Sequence, residues 1–155
     1  MRRRAAISLI AACAISACAH QTTPHAVAAL EGMRWIEVEG DDPKLAFGLP
    51  DSDVMVVMMT CAPKSGQVAI ALFGNPAGNT RAVELRSGRA VQRLSAISMP
   101  SASHDRVVET AAPAAGPVLA SFARTGQLAV GAGGPAMLLP AASSQTAQRF
   151  VSACR

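Results

Sequence analysis

Val54-Met55-Val56-Val57-Met58-Met59-Thr60-Cys61 is apolar at every position except Thr60. Side chains of a strand alternate between two faces, so Val54, Val56, Met58 and Thr60 share one face and Met55, Val57, Met59 and Cys61 the other. A strand apolar on both faces is normally central in its sheet and covered on both sides. The segment therefore reads as the spine of a β-fold, with the rest of the chain organised around it.

Toward the N-terminus, Pro50-Asp51-Ser52-Asp53 is a turn. Before it, Lys44 to Leu49 reads as one short strand and Arg34-Trp35-Ile36-Glu37-Val38 as another, with Trp35 and Ile36 facing opposite ways. Toward the C-terminus, Pro63-Lys64-Ser65-Gly66 turns the chain into Gln67 to Phe73, the expected hairpin partner of the spine. A longer turn, Gly74-Asn75-Pro76-Ala77-Gly78-Asn79, leads to Arg81 to Arg86, which alternates charged and apolar residues as a half-exposed strand does. Ser87-Gly88 turns again into Ala90 to Ile97.

Residues 99–116 are rich in Ser, Pro and Ala and read as a loop with one short strand, Arg106 to Glu109. Pro117 suits the first turn of a short helix that carries Val118, Leu119 and Phe122 on one face and ends at Gly126. Gln127 to Val130 and Ala136 to Leu139 form a hairpin around Gly131-Ala132-Gly133-Gly134-Pro135. The tail is helical. Ser143 or Ser144 caps it, and Ala147, Phe150, Val151 and Cys154 recur at i, i+3, i+4 and i+7. The expected fold is mainly β, a small sandwich or half-barrel of roughly six to nine short strands with a C-terminal helix.

Charge and composition narrow the function classes. The whole chain has a net charge of +4, but Arg2, Arg3 and Arg4 supply three of its 14 basic residues. Without residues 1–17, 11 basic side chains face 10 acidic ones, a net of +1. Nucleic-acid binding needs an excess of positive charge, so the balance argues against it. Aromatics are only 3% of the residues, with one Trp and no Tyr, which argues against a stacking platform for bases or sugars. The core has to be built from Val, Leu, Ile, Ala and Met.

The N-terminus reads as an export leader. Arg2-Arg3-Arg4 is followed by the uncharged, mostly apolar stretch Ala5 to Ala17. That stretch is shorter than the ~20 residues a membrane-spanning helix needs. Ile15-Ser16-Ala17-Cys18 resembles the lipobox of bacterial lipoproteins, in which small residues precede a Cys that receives a diacylglyceryl group and becomes the first residue. The resemblance implies a leader over residues 1–17 and lipid on Cys18. Ala19, rather than Asp, after that Cys implies the outer membrane, as in enteric lipoproteins. Ala17-Cys18-Ala19 also fits an ordinary small-x-small cleavage site, which would release a protein beginning at His20. Residues 18–31 read as lipidated Cys and tether, helical at its end, and residues 32–155 as one β-rich domain.

Of four cysteines, Cys13 leaves with the leader and Cys18 is consumed by lipid. Cys61 and Cys154 remain, in an oxidising compartment, and are expected to form a disulfide that clamps the C-terminal helix to the spine. Two buried free thiols are the alternative.

Three landmarks occur together: Phe47-Gly48-Leu49-Pro50-Asp51-Ser52-Asp53 followed by Cys61; Phe122-Ala123-Arg124-Thr125-Gly126-Gln127-Leu128-Ala129-Val130; and Arg149-Phe150-Val151-Ser152-Ala153-Cys154. Over residues 35–155 the chain resembles a group of uncharacterised exported proteins of proteobacteria. The resemblance implies a β-rich domain with a disulfide and brings no activity with it.

Candidate chemistry is sparse. Ser103-His104-Asp105 contains the residue types of a hydrolytic triad, but adjacent side chains diverge, so His104 would need a distant Ser and acid. Met55, Met58 and Met59 near Cys61 are soft ligands suited to copper, yet alternation splits them between two faces, as core filler would be. Gly131 to Gly134 offers backbone N–H groups to an anion but reads first as a hairpin turn. Glu37, Glu39, Asp41 and Asp42 lack the spacing of a calcium loop. The expectation is a non-enzymatic cell-envelope lipoprotein without metal or cofactor, held to the membrane through Cys18 and binding or supporting another envelope protein. A small periplasmic hydrolase using His104 and an inhibitor of a lysozyme-type enzyme are the alternatives.

Overall fold

A computed structural model of the chain describes residues 25–26 (backbone only), 31–74, 80–102 and 106–155. The fold is mainly β, two sheets and two helices around one core. The strands are β1 (His25–Ala26), β2 (Arg34–Val38), β3 (Lys44–Gly48), β4 (Met55–Thr60), β5 (Gln67–Gly74), β6 (Ala82–Ser87), β7 (Ala90–Ser95), β8 (Ile97–Pro100), β9 (Arg106–Pro113), β10 (Ala129–Ala132) and β11 (Met137–Leu138). The helices are α1 (Pro117–Thr125) and α2 (Ser144–Cys154). One sheet has the order β2-β3-β4-β5-β9-β8 and the other β1-β11-β10-β6-β7. All pairings are antiparallel except that of β1 with β11.

The spine strand β4 lies inside the six-stranded sheet, between β3 and β5. Its two faces differ more than a doubly covered strand would allow. Val57 and Met59 are fully buried, whereas Val56, Met58 and Thr60 are half-buried. Met58 is shielded laterally by its cross-strand neighbours Ala46 and Ala71. One face therefore makes the core and the other keeps partial contact with solvent.

The core face runs across the sheet through Leu45, Phe47, Val57, Met59, Val68, Ile70, Leu72 and Val108. It meets Val83, Leu85 and Val130 of the second sheet and Leu119, Phe122, Phe150 and Val151 of the helices. Trp35 stands 5.5 Å, ring to ring, from both Phe47 and Phe122, joining β2 and β3 to α1. With so few aromatic residues, three of them share one cluster, where each large ring contributes most to the burial of apolar area.

Both helices end as their residues dictate. Pro117 opens α1, and Gly126 closes it in the left-handed conformation (φ 67°), donating its N–H to the Phe122 carbonyl at 2.7 Å. Ser143 caps α2, its Oγ accepting from the Thr146 N–H at 3.0 Å. The buried stripe of α2 is Ala147, Phe150, Val151 and Cys154.

Cys61 and Cys154 are joined in a disulfide, with a sequence separation of 93. The turn after β4 completes the same junction. Lys64 N–H donates to the Ala153 carbonyl at 3.0 Å and Gly66 N–H to that of Cys154 at 2.9 Å. Two carbonyls that would otherwise be left without partners at the helix end are thus satisfied.

Three regions differ from the sequence reading. β9 begins at Arg106 as expected but runs on to Pro113, paired with β5 throughout and with β8 over Arg106 to Glu109, where the Ala- and Pro-rich stretch after Glu109 had suggested a loop. Strand propensity depends on context, and pairing with β5 along the whole strand outweighs a weak local preference. The chain also breaks between β7 and β8, so that one continuous stretch of sequence serves both sheets. Finally, His25–Ala26, in the expected tether, adds a parallel strand beside Met137–Leu138.

Candidate functional site

Cys18 and His104 lie outside the described residues. Met59 is core, while Met55 and Met58 are half-buried. Cys61 is committed to the disulfide and offers no thiolate ligand. Among the described residues, no group of three or more His, Cys, Asp or Glu is placed to hold a metal ion, and no helix is long and apolar enough to cross a membrane. Ser52 closes the turn before β4, donating to the Leu49 carbonyl at 3.0 Å and accepting from the Val54 N–H at 3.2 Å. Asp51 in that turn takes a left-handed φ of 55°. Glu37 pairs with Arg149, which ties the acidic β2–β3 hairpin to α2.

The most developed surface is the outer face of the five-stranded sheet. In β6, Val83, Leu85 and Ser87 turn into the core, so Ala82, Glu84 and Arg86 turn outward. The register sets Arg93 of β7 across from Glu84, and Val91 across from Arg86. On the other side, Ala129 and Gly131 of β10 lie across from Arg86 and Glu84. These two have little or no side chain, so the sheet is low along β10 and its flanks are raised by long arginines.

Two depressions follow from that relief. One, of about 540 Å³, is bordered by Arg86, Arg89, Val91, Gln127, Ala129 and Leu138. The other, of about 490 Å³, is bordered by Arg81, Glu84, Arg93 and the Gly131–Pro135 turn. The glycine turn singled out in the sequence is therefore a hairpin turn that also borders an arginine-lined hollow. Gly131 fits closely there: a Cβ would lie 3.2 Å from the Ala136 Cα, so a side chain would press on the facing segment.

Glu84 is the sole acidic residue bordering either depression, against four arginines. It pairs with Arg86 at 2.6 Å, both side chains being about a quarter to a third exposed (23% and 34%). No ion pair joins Arg81, Arg89 or Arg93 to a described acidic residue. Val91 is 52% exposed and Leu138 40%, so apolar side chains stand beside the cationic ones. Guanidinium groups on apolar stems, next to exposed aliphatic residues, suit a ligand with anionic heads and an apolar body.

Whole-chain net charge hides this face. Residues 31–53 hold seven acidic and two basic residues, whereas residues 80–95 hold four arginines and one glutamate. The two blocks are opposite in sign and largely offset each other in the total. Charge counted element by element would have exposed the contrast, although only the sheet register shows that the arginines share a face. No protein-family model matches the chain, and searches of curated proteins and of solved structures return no match.

Proposed function

We propose that the protein is a non-enzymatic lipoprotein of the bacterial cell envelope. Residues 1–17 act as an export leader, Cys18 carries the lipid, and the domain of residues 32–155 binds or supports another envelope component. The observation that carries this reading is the Cys61–Cys154 disulfide, which closes a loop across most of the domain. Structural disulfides persist in oxidising compartments and are rare in the reducing cytosol, so the bridge fits a chain with an export leader. The lipobox-like Ile15-Ser16-Ala17-Cys18 supplies the anchor, and Ala19 directs it to the outer membrane. The arginine-lined outer face of the five-stranded sheet is the binding surface.

Mass spectrometry of the protein purified from native membranes tests the reading. A mature chain beginning at Cys18, with diacylglycerol on its sulfur, is the expected result. An unmodified N-terminus at His20 would remove the anchor, and an unprocessed chain recovered from the cytosol would remove the export step as well.

A further inference from the structure

The arginine face and the strand nearest the N-terminus belong to the same sheet, with β1 at one edge and β7, which carries Val91 and Arg93, at the other. β1 is the edge strand of the five-stranded sheet, and Ala26 pairs with Leu138, which borders the hollow that holds Arg86 and Arg89. His25 is seven chain steps from Cys18, with six residues between them. Fully extended, that length reaches at most ~25 Å. A lipid on Cys18 therefore keeps this sheet edge close to the bilayer. Exposed charges are largely screened beyond the Debye length, about 8–10 Å, so the face acts only when it lies against the bilayer, which a tether this short permits.

We propose that the outer face of the five-stranded sheet is a membrane-contact surface, on which Arg81, Arg86, Arg89 and Arg93 engage the phosphates of acidic phospholipids while Val91 and Leu138 enter the interfacial layer. The proposal rests on the anchored reading above for its geometry, and on charge and relief for its ligand. A diacylglyceryl group already supplies two acyl chains for attachment, so the cationic patch acts on how the domain lies against the bilayer. The acidic β2–β3 region belongs to the other sheet, so repulsion from the same lipids favours one orientation of the domain. The domain would lie on its five-stranded sheet with the opposite sheet directed away from the bilayer.

The test uses the mature protein purified from membranes and reconstituted in vesicles. A fluorophore is attached to Val91→Cys, or in a second preparation to Ile97→Cys, which is on the other sheet and 67% exposed in the parent chain. Quenching by a lipid-borne quencher reports contact with the bilayer. The label at position 91 should be quenched in vesicles containing about one third phosphatidylglycerol, less so in pure phosphatidylcholine, and released near 1 M salt, where the Debye length is about 3 Å. Each arginine near an acidic surface contributes roughly a five-fold factor. Arg86→Gln, Arg89→Gln and Arg93→Gln together should therefore weaken contact on the order of 100-fold, whereas Arg124→Gln, on α1, should not.

Equal quenching in both lipids, or quenching at position 97 instead of 91, would overturn the proposal. Millimolar inorganic phosphate abolishing contact at unchanged ionic strength would overturn it too, since the face would then serve a soluble anion. The anchor is judged separately by the mass of the N-terminus. A chain beginning at His20 would defeat the anchored reading while the same labels still report on the face.

Discussion

Trp35 donates its indole N–H to the carbonyl of Pro140 at 2.7 Å, across 105 positions of sequence. The contact joins an edge strand of the six-stranded sheet to the segment just before α2. It is made beside the packing of the same indole on Phe47 and Phe122. Trp35→Phe would keep most of the ring contact and remove the donor. A neutral hydrogen bond contributes about 1 kcal/mol net, so the variant should lose about that much stability. Far-UV circular dichroism during urea unfolding checks it, because removing the sole Trp also removes the fluorescence probe.

Breaking the Cys61–Cys154 bridge should cost much more. For a closed loop of this length the chain-entropy argument gives about 4–5 kcal/mol as an upper value. Cys61→Ala with Cys154→Ala should lower the urea midpoint strongly, as should reduction of the parent protein. Tryptophan fluorescence reads both. Equal midpoints for the reduced and oxidised parent would mean that the two backbone hydrogen bonds from Lys64 and Gly66 are enough to dock α2.

Gly126 and Gly66 make a matched pair. Both have positive φ, 67° and 72°. At Gly126 a Cβ would lie 1.9 Å from the Ala142 carbonyl oxygen, whereas at Gly66 nothing lies within 4 Å. Gly66→Ala should cost about 1–2 kcal/mol, the ordinary penalty of a left-handed L-residue. Gly126→Ala adds a clash with backbone and should exceed about 3 kcal/mol. Thermal unfolding of the two variants side by side tests the difference, and equal losses would mean that the 142 segment moves freely.

Ser143→Ala removes the side-chain acceptor for the Thr146 N–H. The expected loss is about 1 kcal/mol. Hydrogen exchange should quicken first at the start of α2, while its C-terminal turn, held by the disulfide, stays protected.

Legibility in the sequence followed how local each cause is. The stripe Ala147, Phe150, Val151 and Cys154 repeats with the helical period, and Pro117 and Gly126 bracket α1 through their own backbone restrictions, so both helices could be read directly. Cysteine arithmetic led to the pair that is bonded. The second half of β9 could not be read this way. Thr110-Ala111-Ala112 has little intrinsic preference for a strand and becomes one because β5 runs alongside it and supplies a partner at every position. The candidate face was harder still, because a balance of +1 without residues 1–17 conceals two opposite blocks.

The chain order alone determined the bounds of both helices, the presence of most strands, which helix face is apolar, and which cysteines are left to pair. Those features depend on residues a few positions apart and on simple chemistry. Tertiary structure decided which sheet each strand joins and that only one face of β4 is fully buried. It also brought Arg81, Arg86, Arg89 and Arg93 to one surface over a floor of Ala129 and Gly131. Strand pairing has no short-range signal: partners distant in sequence are selected by joint burial and a shared register, and a surface exists only once that selection is made.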